Sequence, residues 1–289
     1  MSEKLDKSTI KDTAEVVKGI IETVPVYQDA FQPAAKEIGA ALQTVAKSIH
    51  VALLPLRLLV WGYERIEQYL VSSLAEKLKD VPESRIVTPN PAVAGPALEA
   101  LRFVGNDSVI RELYAELLAT AMDSKTASSA HPSFVEIIKQ INPDEARLLD
   151  YLSSKESAPL VDVVAGSKGK GFFTWLRNFS DIGDRANCSH PENIGMYIDN
   201  LCRLGLVEIP DSYKFRVKSY YTGTESHSRV KHVIEVIESH PGRHASIRRK
   251  ALFLTDFGRQ FCNACGKHCE GIRGRVKRNE GKDIWLEVY

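Results

Sequence analysis

The amino-acid sequence predicts a mainly α-helical chain, with long helices in its N-terminal half and a smaller mixed α+β domain after them. Three observations carry that reading. Apolar residues recur at spacings of three and four through residues 10–80. Four prolines crowd the stretch Val81–Pro96. Beyond residue 142, short helical runs alternate with brief strand-like segments and polar loops.

The first helical stripe holds Ile10, Ala14, Val17, Ile20 and Ile21, and the second holds Ile38, Leu42, Val45, Ile49, Leu53 and Leu54. Pro55 has no N–H and clashes with the preceding turn, so it should kink or break the second helix, and Gly62 should loosen the chain again. Ile66, Tyr69, Leu70, Leu74 and Leu78 continue the pattern. The prolines of Val81–Pro96 predict an extended connector on the helix surface, with helix resuming at Leu98. The next apolar face runs from Leu101 to Ala121 and breaks near Gly105-Asn106-Asp107. Asp107 can cap the second piece, because its carboxylate can accept an unpaired backbone N–H.

Residues 124–131 read as a polar loop and Phe134–Ile141 as a short helix. Asn142-Pro143-Asp144-Glu145 is a helix start, with proline at the first helical position. GSKGKG at 166–171 reads as a flexible loop; Phe172 and Phe173 stand where a phosphate-binding loop needs Lys and Ser or Thr. Pro191–Leu204 is helical and Gly205 ends it. Leu206–Ile209 is a strand, and residues 210–246 are irregular apart from Val230–Ile237, which fits helix or strand. Leu252–Leu254 is strand-like, and Thr255 can cap a last helix, Asp256–Ala264. Helix, short helix, helix, strand, polar loop, strand, helix is the order of a winged-helix domain, with a generic α+β domain as the alternative. The expected division is a helical domain at 1–141 (residues 1–30 loosely attached), a winged-helix-like domain at 142–270 and a basic tail at 271–289.

The chain has 289 residues, 44% hydrophobic and 26% charged, enough apolar material for an ordinary core. Its start, MSEKLDKSTIKDTAEVV, carries no apolar stretch before a cleavage site, and its five cysteines are an odd number. A reduced cytoplasm is the expected setting. Val51–Trp61, VALLPLRLLVW, has about half the roughly 20 residues a spanning helix needs, and Pro55 and Arg57 interrupt it. A buried helix is expected there rather than a transmembrane span, with peripheral membrane contact as the alternative. Net charge is +1 but uneven: residues 211–289 hold 16 Lys+Arg against 9 Asp+Glu. A basic C-terminal third suggests an anionic partner.

Several phrases bring a family into view: QPAAKEIGAAL (32–42), PLRLLVWGYERIEQYL (55–70), VPESRIVTPNPAVAGPALEAL (81–101) and IRELYAELLATAMD (110–123). HPSFVEIIKQINPDEARLL (131–149), LCRLGLVEI (201–209) and LTDFGRQFCNAC (254–265) continue the match. On these the chain resembles the abortive-infection alpha family of bacterial phage-defence proteins. Members more often show Ser where this chain has Asn142, a change that keeps the helix cap. The resemblance implies bacterial defence by halting an infected cell. It supplies no reaction, ligand or catalytic residue.

Cys262-x2-Cys265-x3-Cys269, with His268 beside the last, is the nearest approach to a metal motif, since thiolates and imidazole are zinc's preferred ligands. A second clear C-x2-C is missing, so buried or incidental thiols are expected, with no metal and no cofactor. His131, Pro132, Ser133 and Phe134 open a helix, and His131 reads as a loop or cap histidine. Pro143, Asp144 and Glu145 read as helix-start chemistry rather than as an acid–base pair. The basic cluster is Arg243, Arg248, Arg249 and Lys250, then Arg273, Arg275, Lys277, Arg278 and Lys282. Such residues attract phosphates. The helix at 191–204, the recognition helix of a winged-helix reading, offers only Asn193, Asn200 and Arg203 as base readers, with Glu192 and Asp199 opposing.

Three functions are weighed. The first is a non-enzymatic defence protein that binds a partner, a protein before a nucleic acid. The second is a DNA-binding regulator using the C-terminal domain. The third, a hydrolase or nuclease, lacks an acid–metal cluster, a nucleophile elbow or a phosphate loop in the sequence.

Overall fold

A computed structural model describes residues 40–57, 64–104, 107–167, 171–211, 213–266 and 285–287. The protein is mostly helical, with a curled antiparallel sheet in its C-terminal part. The apolar stripe at residues 10–21 and Gly62 lie outside the described residues.

The N-terminal layer is built from α1 (Ala40–Arg57), α2 (Glu64–Leu78), α3 (Pro91–Leu101), α4 (Ser108–Met122) and the short α5 (Ser133–Ile138). Its stripe residues Ile49, Leu53, Leu70, Leu74, Leu98 and Leu117 are buried, as the periodicity predicts. Helix α1 packs on α2, and α2 and α3 both pack on α4. Helix α1 runs through Pro55 to Arg57. The connector is shorter than the four prolines suggest, because helix resumes at Pro91 instead of Leu98. The Asn90 side chain accepts the Ala92 N–H at 2.9 Å, and Pro91 takes the first helical position, where its missing N–H costs nothing. Asp107 caps α4 as predicted, accepting from Val109 and Ile110 at 3.0 and 3.1 Å.

The C-terminal part begins with α6 (Pro143–Lys155), then β1 (Ser157–Ser167) and β2 (Gly171–Phe179). Helices α7 (Ile182–Arg185) and α8 (Ile194–Arg203), strands β3 (Val207–Glu208) and β4 (Tyr213–Phe215), and helices α9 (Thr222–Ser226) and α10 (Ser228–Glu238) follow. Strand β5 (Arg243–Leu254), helix α11 (Asp256–Cys265) and strand β6 (Trp285–Glu287) complete the described elements. The main sheet has the order β2-β1-β5-β3, and β4 pairs with β6. Every pairing is antiparallel.

Two sequence expectations are corrected here. The GSKGKG segment is no free-standing loop: Gly166 and Ser167 end β1, Gly171 opens β2, and the segment joins a hairpin. Residues 210–246 are not irregular, since they hold β4, α9, α10 and the start of β5. Val230–Ile237 resolves to helix, with Val230 and Ile237 buried.

Helix α11 ties the two halves together. It packs mainly on α4. The Thr120 hydroxyl donates to the Ala264 carbonyl at 2.9 Å, and the Phe134 ring meets Phe257 and Phe261 at 5.5 and 5.4 Å. Gly258 permits the close approach of α11 to the backbone just before β3, because a Cβ there would lie 2.0 Å from the Leu206 carbonyl oxygen. Buried side chains from Val45 to Cys265 form one continuous core.

Candidate binding surface

The sequence singles out Asp144 and Glu145, and both side chains are buried. Glu145 closes a capping box: it accepts the Asn142 N–H at 2.8 Å while the Asn142 side chain accepts the Glu145 N–H at 2.8 Å. Asp144 does a different job. Its carboxylate accepts the backbone N–H groups of Ser189 (2.8 Å) and His190 (2.9 Å), the Tyr197 hydroxyl (3.1 Å) and Arg147. Burial pushes the Asp144 carboxyl up, but these donors outweigh it and hold the group below the usual carboxylate range. Burial also raises Glu145, and there the bonds from Asn142 and Asn200 offset only part of the effect. Neighbours in sequence are thus driven apart in acidity, each by its role in anchoring α6.

Helix α8 faces these acids. Asn200 donates to Glu145 Oε1 and to the Gln140 carbonyl, both at 2.9 Å, and the Arg203 guanidinium donates to the Asn200 side-chain oxygen at 2.7 and 3.0 Å and to Gln140 Oε1 at 3.1 Å. Two of the three base readers named from sequence are therefore engaged with α6 and the loop before it. The third, Asn193, lines a groove of about 180 Å³ beside the start of α8, with Arg177 and Arg229. Arg177 is paired with Asp199 at 2.6 Å, and Arg229 donates to the Glu192 carbonyl.

The basic residues of β5 divide by position. Lys250 reaches both Asp162 oxygens, at 3.0 and 3.1 Å, and also donates to the Asn178 side chain. Asn178 sits in a β-bulge of β2 with φ of 52°, a left-handed backbone that asparagine tolerates. Arg249 forms a two-bond pair with Glu225, at 2.5 and 2.9 Å, and lies over the Tyr221 ring. Arg243 lies over the Trp175 ring at 5.8 Å, and Arg248 is exposed. Half of this cluster is thus bound inward. Arg273, Arg275, Lys277, Arg278 and Lys282 lie outside the described residues.

The free end of the sheet carries side chains that the sequence reading passed over. Phe172 and Phe173 are 71% and 67% exposed on β2, an edge strand. Register places them on opposite faces: Phe172 pairs with Gly166, which pairs with His244, whereas Phe173 pairs with Ala165 and so with Ala245. Phe173 meets Trp175 edge-on at 6.5 Å, and Trp175 meets His240 at 5.9 Å. On the other face, a Cβ on Gly166 would lie 2.7 Å from His244 Nε2 and 3.0 Å from Phe172 Cε1. The two rings therefore close over the bare Gly166 backbone. The usable signal in the sequence was GFFTW directly after the glycine-rich turn, a run of strand-favouring aromatics.

The remaining candidates are quickly placed. The His131 ring nitrogen Nδ1 accepts the Ser133 N–H at 3.1 Å and lies 2.7 Å from its hydroxyl, at the start of α5. Phe134 is in the core. Cys262 and Cys265 lie on α11; Cys265 is buried and its thiol is pushed well up by burial, and the Cys262 thiol points to the Leu149 carbonyl at 3.8 Å. His268 and Cys269 lie outside the described residues. Among the described residues, no group of three or more His, Cys, Asp or Glu could hold a metal ion. No helix among them is long and apolar enough to cross a membrane; in the 51–61 segment, Val51 is exposed and Leu53 buried.

Fold and surface together define a mostly helical protein with a curled antiparallel sheet, aromatic and basic at its outer end. The profile of the abortive infection alpha family matches residues 62–265, and the chain belongs to that family. Membership points to a role in abortive infection, a form of phage defence. No protein of curated function matches the chain. Among solved structures, the chain is similar to the uncharacterized protein from the hydrocarbon-degrading marine bacterium Alcanivorax borkumensis SK2. Identity there is 24% and the TM-score 0.34, over 50% of this chain and 96% of that one.

Proposed function

We propose that the protein serves phage defence by binding a macromolecular partner at the outer end of its sheet, rather than by catalysis. The observation that carries this reading is the pair Phe172 and Phe173. Adjacent phenylalanines on an edge strand remain largely in water, beside the exposed Arg243, His244 and Arg248 of β5. Edge strands are usually blunted by charge, proline or a bulge near the tip, and exposed aromatic groups there favour association. A regulator reading through α8 draws less support, because Asn200 and Arg203 are held by α6 and its preceding loop.

Phage plating on cells carrying the protein tests this. Phe172→Ser with Phe173→Ser should abolish protection while circular dichroism and melting stay unchanged, since both side chains are exposed. Full protection by the folded double variant would overturn the proposal.

A further inference from the structure

At the outer end of the sheet, the face that carries Phe172 exposes side chains from β2 and β5, and its composition is specific. Cross-strand partners share a face in an antiparallel sheet, so Phe172, Gly166 and His244 form one row and Thr174, Val164 and Ser246 the next. Arg248 follows on β5, opposite Asp162. Phe172, Thr174, His244, Ser246 and Arg248 are all exposed, while Val164, between Thr174 and Ser246 on β1, is buried. The face therefore offers an aromatic platform, then hydroxyls, then a guanidinium. Ring pair and guanidinium are four residues apart on β5, about 13 Å along the strand, a span of a few nucleotides.

We infer that this face binds single-stranded nucleic acid, an assignment that rests on the binding reading above and names its partner. Bases stack on exposed rings whatever their sequence, and phosphates pair with basic groups along the path. Duplex DNA keeps its base faces inside the stack, so it cannot use the ring pair, whereas a single strand can splay its bases onto it. Gly166 serves the platform by having no side chain. A methyl there would crowd both rings, with its carbon 2.7 Å from His244 Nε2 and 3.0 Å from Phe172 Cε1, so the rings would have to shift.

The test is fluorescence anisotropy of the full chain with labelled oligo-dT, oligo-rU and a duplex of equal length, across a salt series. Both single strands should bind at least about five-fold more tightly than the duplex. Phe172→Ala and His244→Ala should each weaken single-strand binding by about five-fold or more. Gly166→Ala should do the same with both rings still present. Arg248→Ala should reduce the log–log salt slope by about 0.7, the value for one phosphate on a single strand. Melting curves report whether each variant is folded. No binding of either strand at low salt, equal binding of duplex, or affinity indifferent to Phe172 and His244 would overturn the inference. If the strands fail to bind but phage protection still depends on these two residues, the face docks a protein and the binding reading stands. If protection is indifferent as well, both fall.

Discussion

Asn200 on α8 donates its side-chain amide to the buried carboxylate of Glu145 on α6, at 2.9 Å. The same amide reaches the Gln140 carbonyl, also at 2.9 Å. The helix that a winged-helix reading would offer to DNA is thus fastened by its most suitable amide to the helix behind it. Asn200→Ala should lower stability by about 1–3 kcal/mol, because a buried charged acceptor loses a donor. It should leave nucleic-acid affinity unchanged. Urea unfolding and anisotropy on one protein preparation separate the two effects, and lost affinity without lost stability would return Asn200 to base reading.

Asp144 gives a pH-dependent prediction of known sign. Its folded-state pKa is depressed by the Ser189 and His190 N–H groups, against the upward push of burial. Stability from this group is therefore present above the unfolded carboxyl value, about 3.9, and lost as pH falls through the lower folded value. Asp144→Asn should cost about 2–3 kcal/mol near neutral pH, since charged hydrogen bonds are lost and the amide nitrogen that replaces one oxygen faces the backbone N–H that oxygen accepted. The gap between wild type and variant, followed by urea unfolding, should shrink as pH is lowered toward 3. A gap independent of pH would mean that the carboxylate charge contributes nothing.

Lys250 changes how the basic cluster should be probed. It is the cationic partner of Asp162, whose side chain is nearly closed off from water. Lys250→Ala should destabilise the protein by about 2–4 kcal/mol by leaving that charge unpaired. Replacing Lys250 and Asp162 together by apolar residues should recover part of the loss, as a double-mutant cycle in thermal melts would show. Joint replacement of Arg248, Arg249 and Lys250 would therefore mix unfolding with lost binding. Arg248 is the cleaner probe, since it is exposed.

The cysteines allow a chemical test. Burial pushes the Cys188 and Cys202 thiols up to about 11, and Cys265 is fully enclosed. Thiolate is the reactive form, so these three should alkylate slowly in the native protein and quickly in urea, read by mass spectrometry of their peptides. A chelator should leave the melting temperature where it was. A structural zinc contributes folding energy outright, so a large drop would place metal at Cys262 and Cys265 after all.

What the sequence made legible follows from how local each signal is. Asp107, Asn142 and Thr255 are legible as caps because a cap needs only its own side chain and the next turn, and all three accept the expected N–H groups. Gly205 is legible as a helix stop, and its φ is 72°. Strand β1 escaped because it is covered on both faces: Ala158 through Gly166 are all buried, so SAPLVDVVAGS shows no alternation of apolar and polar residues. With β1 unseen, β2 has no sequence assignment and the first half of β5 reads as irregular, since both are strands by pairing with β1. The ring pair over Gly166 unites residues 166, 172 and 244, a juxtaposition that no local pattern encodes.

The proposed division near Asn142 meets its test in limited proteolysis. Trypsin should cut at Lys168 or Lys170, between the two strands of the hairpin, and leave pieces that begin or end in the sheet. Those pieces should stay together in gel filtration while running as two bands under denaturing conditions. Strand β1 remains in register with β5 from Ser157–Phe253 to Ser167–Arg243, and α11 still holds α4 through Thr120 and the Phe134 cluster. Neither set of contacts depends on chain continuity at the hairpin. Phe134→Ala should loosen the nicked complex far more than the intact chain, because only the nicked form relies on non-covalent contacts to keep α11 near α4. Truncating a buried aromatic removes about 3–5 kcal/mol, enough to turn a stable nicked pair into separating fragments at micromolar protein. Fragments that part at once in the wild type would mean that neither the β1–β5 pairing nor the contacts of α11 with α4 holds the halves once the hairpin is cut.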